Sequence, residues 1–155
     1  MHRFSLKVLL LLPWLVTLLT VPVLAVRPPI REAPRILNGS EHGVGRTIPD
    51  LAFKDLHGQR SRLSLLSEKR PVVILITGTG CPLCKRYAPS LARLEKDYAE
   101  RGVRFLFVNP NKAEKMNKII KAVATHNFKG PYVRDTQQSI IRSLQAKTTT
   151  EAFVL

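Results

Sequence analysis

Cysteine is scarce in this chain: the 155 residues contain two, and they lie three positions apart at Cys81 and Cys84. A structural zinc site with four ligands draws on cysteine and histidine together, and the four histidines are scattered along the sequence. We therefore expect no metal ion and no other cofactor. A c-type haem attachment is excluded as well, because Lys85 follows the second cysteine where that motif requires histidine.

Acidic residues are also few: 11 aspartates and glutamates accompany 25 lysines and arginines, for a formal net charge of +14. Arg3 and Lys7 are the two charges of residues 1–25, which leaves +12 on the rest of the chain. Such a surface attracts anionic lipid headgroups, nucleic acid or acidic proteins. No run of basic residues is interleaved with aromatic ones, as a nucleic-acid platform requires, so we expect no nucleic-acid partner and interpret most of the charge as a solvated face.

The first 25 residues have the pattern of an export signal. Two positive charges precede a stretch that is apolar from Val8 to Leu19 apart from one threonine, and a small-residue triplet that suits signal peptidase ends at Ala25. We predict that residues 1–25 are a signal peptide and that the protein is exported to the periplasm or another extracytoplasmic space. The alternative is an uncleaved membrane anchor, because the stretch is just long enough to span a bilayer. The prolines within it favour cleavage.

Two further regions follow this segment. Residues 26–47 predict a flexible linker, because prolines and glycines punctuate them and no apolar periodicity is visible. Residues 48–155 predict one folded domain, in which apolar, largely β-branched runs alternate with segments whose apolar residues recur every three or four positions. This alternation indicates crossover connections and an α/β sheet with helices packed on it. The patterns predict strands over 51–54, 61–65, 71–77, 103–108 and 152–155, helices over 82–101, 112–126 and 136–145, and an extended piece at 132–133.

The segment Cys81-Pro82-Leu83-Cys84 lies where a predicted buried strand is followed by a helix. We expect Cys81 at the start of that helix, where unpaired backbone N–H groups and the helix dipole stabilise a thiolate. Pro82 suits the first helical position, since its missing N–H costs nothing there. Lys85 adds positive potential. A spacing of three on a helix brings the two sulfurs close enough to form a disulfide.

The chemistry that this pair predicts is thiol–disulfide exchange with protein disulfides or dithiols. The Cys81 thiolate attacks a partner disulfide, and Cys84 then releases the reduced partner by forming the Cys81–Cys84 redox disulfide. The alternative is an inert structural disulfide, which is common in exported proteins. Such a bond would close a very short loop and would constrain the unfolded chain little, so we favour the redox interpretation.

The motif and its helix resemble the thioredoxin-like superfamily, in particular redoxin domains of the AhpC/TSA and TlpA/ResA types. The resemblance is specific over residues 81–91 and extends over about residues 48–155. It implies a three-layer α/β fold with a central mixed sheet flanked by helices, incomplete at the C-terminus because such domains continue with a further strand and helix. It also implies that Pro89 kinks the active-site helix. Thr150 stands where the family has its cis-proline, which is a departure from the family pattern, and we expect Thr150 to support the site from that position.

The sequence departs from its relatives at three further positions. Gly80 stands where thioredoxins have tryptophan, Leu75 stands where they have a buried acid that assists proton transfer, and Gly78 stands where the peroxiredoxin Thr-x-x-Cys motif requires threonine. Two alternatives to the oxidoreductase stay open. One is a peroxiredoxin-like thiol peroxidase. The other is a Sco-like metal-binding module in which His126 joins the two cysteines, although Sco proteins space their cysteines by four.

Overall fold

A computed structural model describes residues 38–155 of the chain. The predicted signal peptide and the first part of the predicted linker lie outside these residues. The described part of that linker contains a 3-10 turn, Gly39–His42, and its flexibility stays a prediction. Between residues 38 and 155 there is no helix with the length and apolar character needed to cross a membrane.

In the described residues, six strands and four α-helices form the domain. The strands are β1 (Ala52–Lys54), β2 (Arg60–Arg62), β3 (Val72–Ile76), β4 (Arg104–Asn109), β5 (Tyr132–Arg134) and β6 (Ala152–Val154). The helices are α1 (Leu63–Ser67), α2 (Pro82–Ala99), α3 (Met116–His126) and α4 (Ser139–Leu144). Strands β1 and β2 form an antiparallel hairpin. The other four form a sheet of order β5-β4-β3-β6, in which β3, β4 and β5 run parallel and β6 runs antiparallel to β3. The predicted α/β class with a mixed sheet is confirmed.

The sheet is buried on both faces, and side chains of β3 and β4 alternate between two hydrophobic cores. Ile74 and Leu106 contribute to one core, and Leu75 and Phe107 contribute to the other, as the two-residue period of a strand requires. Helices α1 and α4 pack on the first face, and α2 and α3 pack on the second. The result is a three-layer arrangement, which explains why both strands are nearly continuous apolar runs in the sequence.

The prediction of a strand over residues 61–65 is wrong in its second half, because α1 begins directly after Arg62. Asp50 accounts for this difference. Its carboxylate accepts hydrogen bonds from the Ser64 amide at 2.9 Å and from the Ser64 hydroxyl at 2.8 Å, so it satisfies an N–H group at the start of the helix. The Ser64 amide and the Arg62 guanidinium lower the pKa of Asp50 to about 2, so this carboxylate is ionised at neutral pH.

Helix α2 is predicted from apolar residues that recur every three or four positions, such as Leu83 and Tyr87, but these residues do not form its buried face. Leu83 and Tyr87 are 53% and 51% exposed, whereas Cys84, Ala88 and Glu95 are buried. Glu95 faces inward because its carboxylate accepts hydrogen bonds from two backbone amides of the loop before β5. The helix itself is confirmed, but it is rotated by about one residue relative to those apolar residues.

Phe107 offers a test of the core beneath α2 and α3. Its side chain is fully buried, and its ring stacks on Phe128 with centroids 4.1 Å apart. Phe107→Ala leaves a cavity, so we expect it to lower the free energy of unfolding by about 3–5 kcal/mol in urea titrations. Leu65→Ala is the control, because Leu65 is 64% exposed and its truncation should change stability by less than about 0.5 kcal/mol. Similar losses in both variants would contradict the assignment of this core.

Candidate active site

The two cysteines lie where β3 ends and α2 begins. Cys81 immediately precedes the helix with an extended backbone, φ −79° and ψ 121°, and Pro82 is the first helical residue, as the sequence predicts. The Cys81 sulfur accepts a hydrogen bond from the backbone amide of Cys84 at 3.5 Å. A side chain that accepts such a bond caps the helix and satisfies one of its free N–H groups. The sulfur therefore lies at the positive end of the helix dipole.

A second hydrogen bond to Cys81 comes from a distant part of the chain. The hydroxyl of Thr149 donates to the Cys81 sulfur at 3.4 Å. This hydroxyl first, and then the amide and thiol of Cys84, lower the pKa of Cys81 from its ordinary value to about 7. Cys81 is half-buried, so its sulfur can be reached from solvent. At neutral pH a substantial fraction of this thiol is thus the nucleophilic thiolate.

Cys84 has the opposite character. It is only 4% exposed, and burial together with the neighbouring Cys81 thiol raises its pKa. Thr77 and the Gly78 amide counteract this rise in part. Both cysteines are free thiols in this structure. The pair thus combines an accessible thiol that ionises readily with a buried thiol that stays protonated.

Cys84 lines two cavities. A cavity of about 310 Å³ is lined by Cys84, Leu75 and Tyr87, and by Thr150 and Glu151 of the segment before β6, among others. A smaller one, of about 50 Å³, is lined by Cys84, Lys85, His126 and Tyr132, among others. Because Leu75 is apolar and 5% exposed, no carboxylate reaches Cys84 from the position where thioredoxins have an acid.

Lys85 and Pro89, which the sequence predicts to support the site, are exposed residues of α2. Lys85 lines the smaller cavity beside Cys84. Pro89 lies inside the helix, where it cannot donate the backbone hydrogen bond that any other residue would make. The kink expected at Pro89 and the role of Lys85 stay predictions. Within residues 38–155, no three side chains of His, Cys, Asp or Glu are grouped closely enough to hold a metal ion.

The hydroxyl that donates to the Cys81 sulfur belongs to Thr149 and not to its neighbour Thr150. The Thr150 hydroxyl donates to the backbone carbonyl of Thr149, and its amide donates to the carbonyl of Ile76 at 2.7 Å. Its φ of 78° lies in the left-handed region, which is unusual for a β-branched residue. The predicted position thus borders the site, but the hydroxyl that acts on the sulfur lies one residue earlier.

Two residues at the site, Thr149 and Glu114, were not anticipated from the sequence. Thr149 is 68 positions from Cys81, and Glu114, which binds the turn before Cys81, is 34 positions from Gly80. No local pattern links either of them with the cysteines. The one available signal is compositional: Glu114 is the sole acidic residue of the basic segment 104–134.

The chain has relatives among known proteins. Residues 44–155 match the AhpC/TSA family. The chain belongs to the AhpC/TSA family. The thioredoxin-like protein YneN of Bacillus subtilis is 32% identical over 92 residues, which are 59% of this chain and 53% of that protein. The thiol-disulfide oxidoreductase ResA of Geobacillus kaustophilus is 30% identical over 112 residues, which are 72% of this chain and 63% of that protein. The chain therefore spans less than two thirds of the length of these curated relatives.

The fold has solved counterparts. A thiol:disulfide interchange protein of the thioredoxin family from Chlorobium tepidum superimposes with a TM-score of 0.61 at 19% sequence identity. The match covers 69% of this chain and 75% of that one. At this level of identity the likeness concerns the fold, and it confirms the thioredoxin-like architecture expected from the active-site helix.

The two threonines allow a matched test of what lowers the pKa of Cys81. Thr149→Val keeps the shape of the side chain but removes the donor, so we expect the pKa to rise. A return to the ordinary thiol value of about 8.5 would reduce the thiolate fraction at pH 7 by about fifteenfold. Ultraviolet thiolate absorbance against pH, in a Cys84→Ser background, measures this. Thr150→Val is the control and should leave the pKa unchanged; equal shifts in both variants would contradict the assignment.

Proposed function

We propose that this chain is an exported thiol–disulfide oxidoreductase whose redox pair is Cys81 and Cys84, with protein disulfides or dithiols as substrates. The observation that carries the proposal is the difference between the two thiols: the Cys81 pKa is lowered to about 7 at a half-buried helix start, and the Cys84 pKa is raised by burial. An inert structural disulfide would need no such difference. Relatives named for this activity support the same chemistry.

The reductive direction runs in two displacements. The Cys81 thiolate attacks one sulfur of the partner disulfide, forming a mixed disulfide and releasing the other partner sulfur as a thiolate that takes up a proton. The Cys84 thiolate then attacks the Cys81 sulfur and expels the second partner sulfur. Two electrons pass from the cysteine pair to the partner, which leaves as a dithiol, and Cys81 and Cys84 become a disulfide. The reverse sequence oxidises a dithiol partner.

The second displacement requires Cys84 to lose its proton. Part of the rise in the pKa of Cys84 comes from the adjacent Cys81 thiol. Once Cys81 is bonded to the partner it carries neither a charge nor a proton, so that contribution disappears and Cys84 ionises more readily. The formation of the mixed disulfide thus prepares the step that resolves it, without a carboxylate at the position of Leu75.

Substitution of each cysteine tests the proposal. Cys81→Ser should abolish the reduction of insulin by the full chain in the presence of dithiothreitol, because it removes the attacking thiolate. Cys84→Ser should retain the attack and accumulate a mixed disulfide with insulin, visible on a non-reducing gel. If both variants reduce insulin as fast as the wild type does, the proposal fails. The reduction potential then gives the direction: about −270 mV, as in thioredoxin, indicates a reductase, and about −120 mV, as in DsbA, an oxidase.

A thiol peroxidase would use the same Cys81 thiolate differently. Peroxide would oxidise it to a sulfenic acid. This acid would then condense with the Cys84 thiol to form a disulfide, with loss of water. The two hydrogen bonds to the Cys81 sulfur come from the Cys84 amide and the Thr149 hydroxyl, and both equally suit disulfide exchange. We expect hydrogen peroxide to oxidise Cys81 no faster than it oxidises free cysteine, as measured by sulfenic-acid trapping. A much faster reaction would favour the peroxidase.

Export is supported by the charge and hydropathy pattern of residues 1–25, with residues 48–155 as the domain that works outside the cytoplasm. In a bacterial host the mature protein should therefore begin at Val26 and appear in the periplasmic or culture fraction. N-terminal sequencing after fractionation measures both. An intact N-terminus in the membrane fraction would instead indicate the anchored form, in which residues 1–25 mediate the membrane association. An intact N-terminus in the cytoplasm would contradict export.

A further inference from the structure

The turn of residues 78–80, which immediately precedes Cys81, is bound by a single buried carboxylate. Glu114, 8% exposed, accepts hydrogen bonds from the Thr79 amide at 2.9 Å, the Thr79 hydroxyl at 2.6 Å and the Gly80 amide at 2.8 Å. A Cβ atom built on Gly78 or on Gly80 would lie 3.4 Å from a Glu114 oxygen. The carboxylate is thus packed directly against the backbone of the three residues that precede Cys81.

Glu114 is in turn held by the end of β4. The amide group of Asn109, fully buried, donates to the carboxylate at 2.8 Å, and that of Asn111 donates at 3.4 Å. Burial alone would raise the pKa of Glu114, but the hydrogen bonds from Thr79, Asn109 and Gly80 outweigh it and hold the pKa at about 2. The carboxylate therefore stays ionised throughout the pH range in which thiols react, and both of its oxygens remain able to accept hydrogen bonds.

The turn needs such a tether because of its composition. Gly78 and Gly80 have no side chains that could pack, and glycine has the largest backbone freedom of any residue. Two hydrogen bonds reach the Cys81 sulfur, at 3.5 Å from the Cys84 amide and at 3.4 Å from the Thr149 hydroxyl, which are ordinary distances for a sulfur acceptor. A displacement of the turn would lengthen and misalign them, and hydrogen bonds weaken steeply with distance and angle.

We propose that Glu114 is a positioning residue of the redox pair: by binding the Thr79 and Gly80 amides it keeps the Cys81 sulfur within reach of its two hydrogen-bond donors and so sustains the thiolate. This inference rests on the proposed function of Cys81. Glu114 acts through the backbone and not on the sulfur. The ionisable groups that border the same cavity as the turn are Cys84, Lys85, His126 and Tyr132. The experiments below leave Lys85, His126 and Tyr132 unchanged, and Cys84 is serine in the variants and in their reference alike.

Positioning and charge make opposite predictions for the pKa of Cys81. If Glu114 positions the sulfur, its loss withdraws the hydrogen bonds that favour the thiolate, and the pKa rises. If Glu114 acts as a nearby negative charge, its loss removes a repulsion, and the pKa falls. If Glu114 only stabilises the fold, the pKa stays constant while the melting temperature drops. The sign of the change therefore identifies the role.

The first experiment is Glu114→Gln in the full chain, with Cys84→Ser so that one thiol titrates. Glutamine has the same size but one acceptor oxygen, and its NH₂ group meets a backbone N–H, so one amide contact is lost. We expect the pKa of Cys81 to rise by about one unit, which lowers alkylation by iodoacetamide at pH 7 by about fivefold. The rate near pH 10, where the thiol is ionised in either form, should be unchanged. A pKa that falls or stays constant overturns the proposal.

Glu95→Gln is the matched control. Glu95 is 4% exposed and also binds two successive backbone amides, those of Lys129 at 3.0 Å and of Gly130. It lies 14 residues beyond Cys81 along α2, about 20 Å at the helical rise. Its substitution should lower stability by a similar mechanism and leave the pKa of Cys81 unchanged. A shift in this variant equal to that of Glu114→Gln would mean that general loosening is the cause, and would overturn the proposal.

Thr79→Val provides a milder change should Glu114→Gln fail to fold. It removes only the hydroxyl donor at 2.6 Å and keeps both backbone amides, so the pKa of Cys81 should rise by less than a unit. No rise here, with Glu114→Gln unfolded, also counts against the proposal. Alkylation reports the pKa without any disulfide substrate, and wild-type insulin reduction is measured separately. An inactive wild type with the predicted shifts would therefore overturn the proposed function and leave the role of Glu114 standing.

Discussion

The burial of β3 on both faces is the constraint on which the arrangement of the cysteines depends. A strand with Ile74 in one core and Leu75 in the other cannot shift by one residue without exchanging its faces. It is also paired on both sides, with β4 and with β6. The chain must therefore leave the sheet at a set point, and the Thr77 amide is still bound to the Val108 carbonyl there. Cys81 follows four residues later, immediately before α2, so the end of β3 limits where the reactive sulfur can lie.

The loops around this core are held by buried carboxylates that bind successive backbone amides. Buried amides without a partner are costly, and one carboxylate with two oxygens can satisfy two or three of them. The same device appears three times in the described residues. Glu114 binds Thr79 and Gly80, Glu95 binds Lys129 and Gly130, and Asp135 binds Ser139, Ile140 and Ile141 at the start of α4. In a protein with few acidic residues, several of them thus have a structural use inside the fold.

Local sequence patterns predict most of the helices and strands correctly. They fail where a residue distant in sequence determines the local structure. Strand β3 and the start of α2 are predicted correctly from the sequence. Burial on both faces gives a continuous apolar run, and the start of a helix favours residues such as Pro82, so both features are visible in neighbouring residues. The start of α1 is not predicted, because the group that caps it, Asp50, precedes the β1–β2 hairpin. The rotation of α2 was missed for a similar reason: Glu95 is buried only because it binds amides of a loop 34 and 35 residues away.

By itself, the sequence determined the class of the fold, the family, and the position of Cys81 and Pro82 at the start of a helix, since these depend on residues that are close together along the chain. Only the tertiary structure decided which groups set the properties of the thiols. Thr149, and not Thr150, reaches the Cys81 sulfur because β6 pairs beside β3, and Glu114 reaches the turn because β4 pairs on its other side. Hydrogen bonds act over about 3 Å, so partners that are distant in sequence meet only once the sheet has formed.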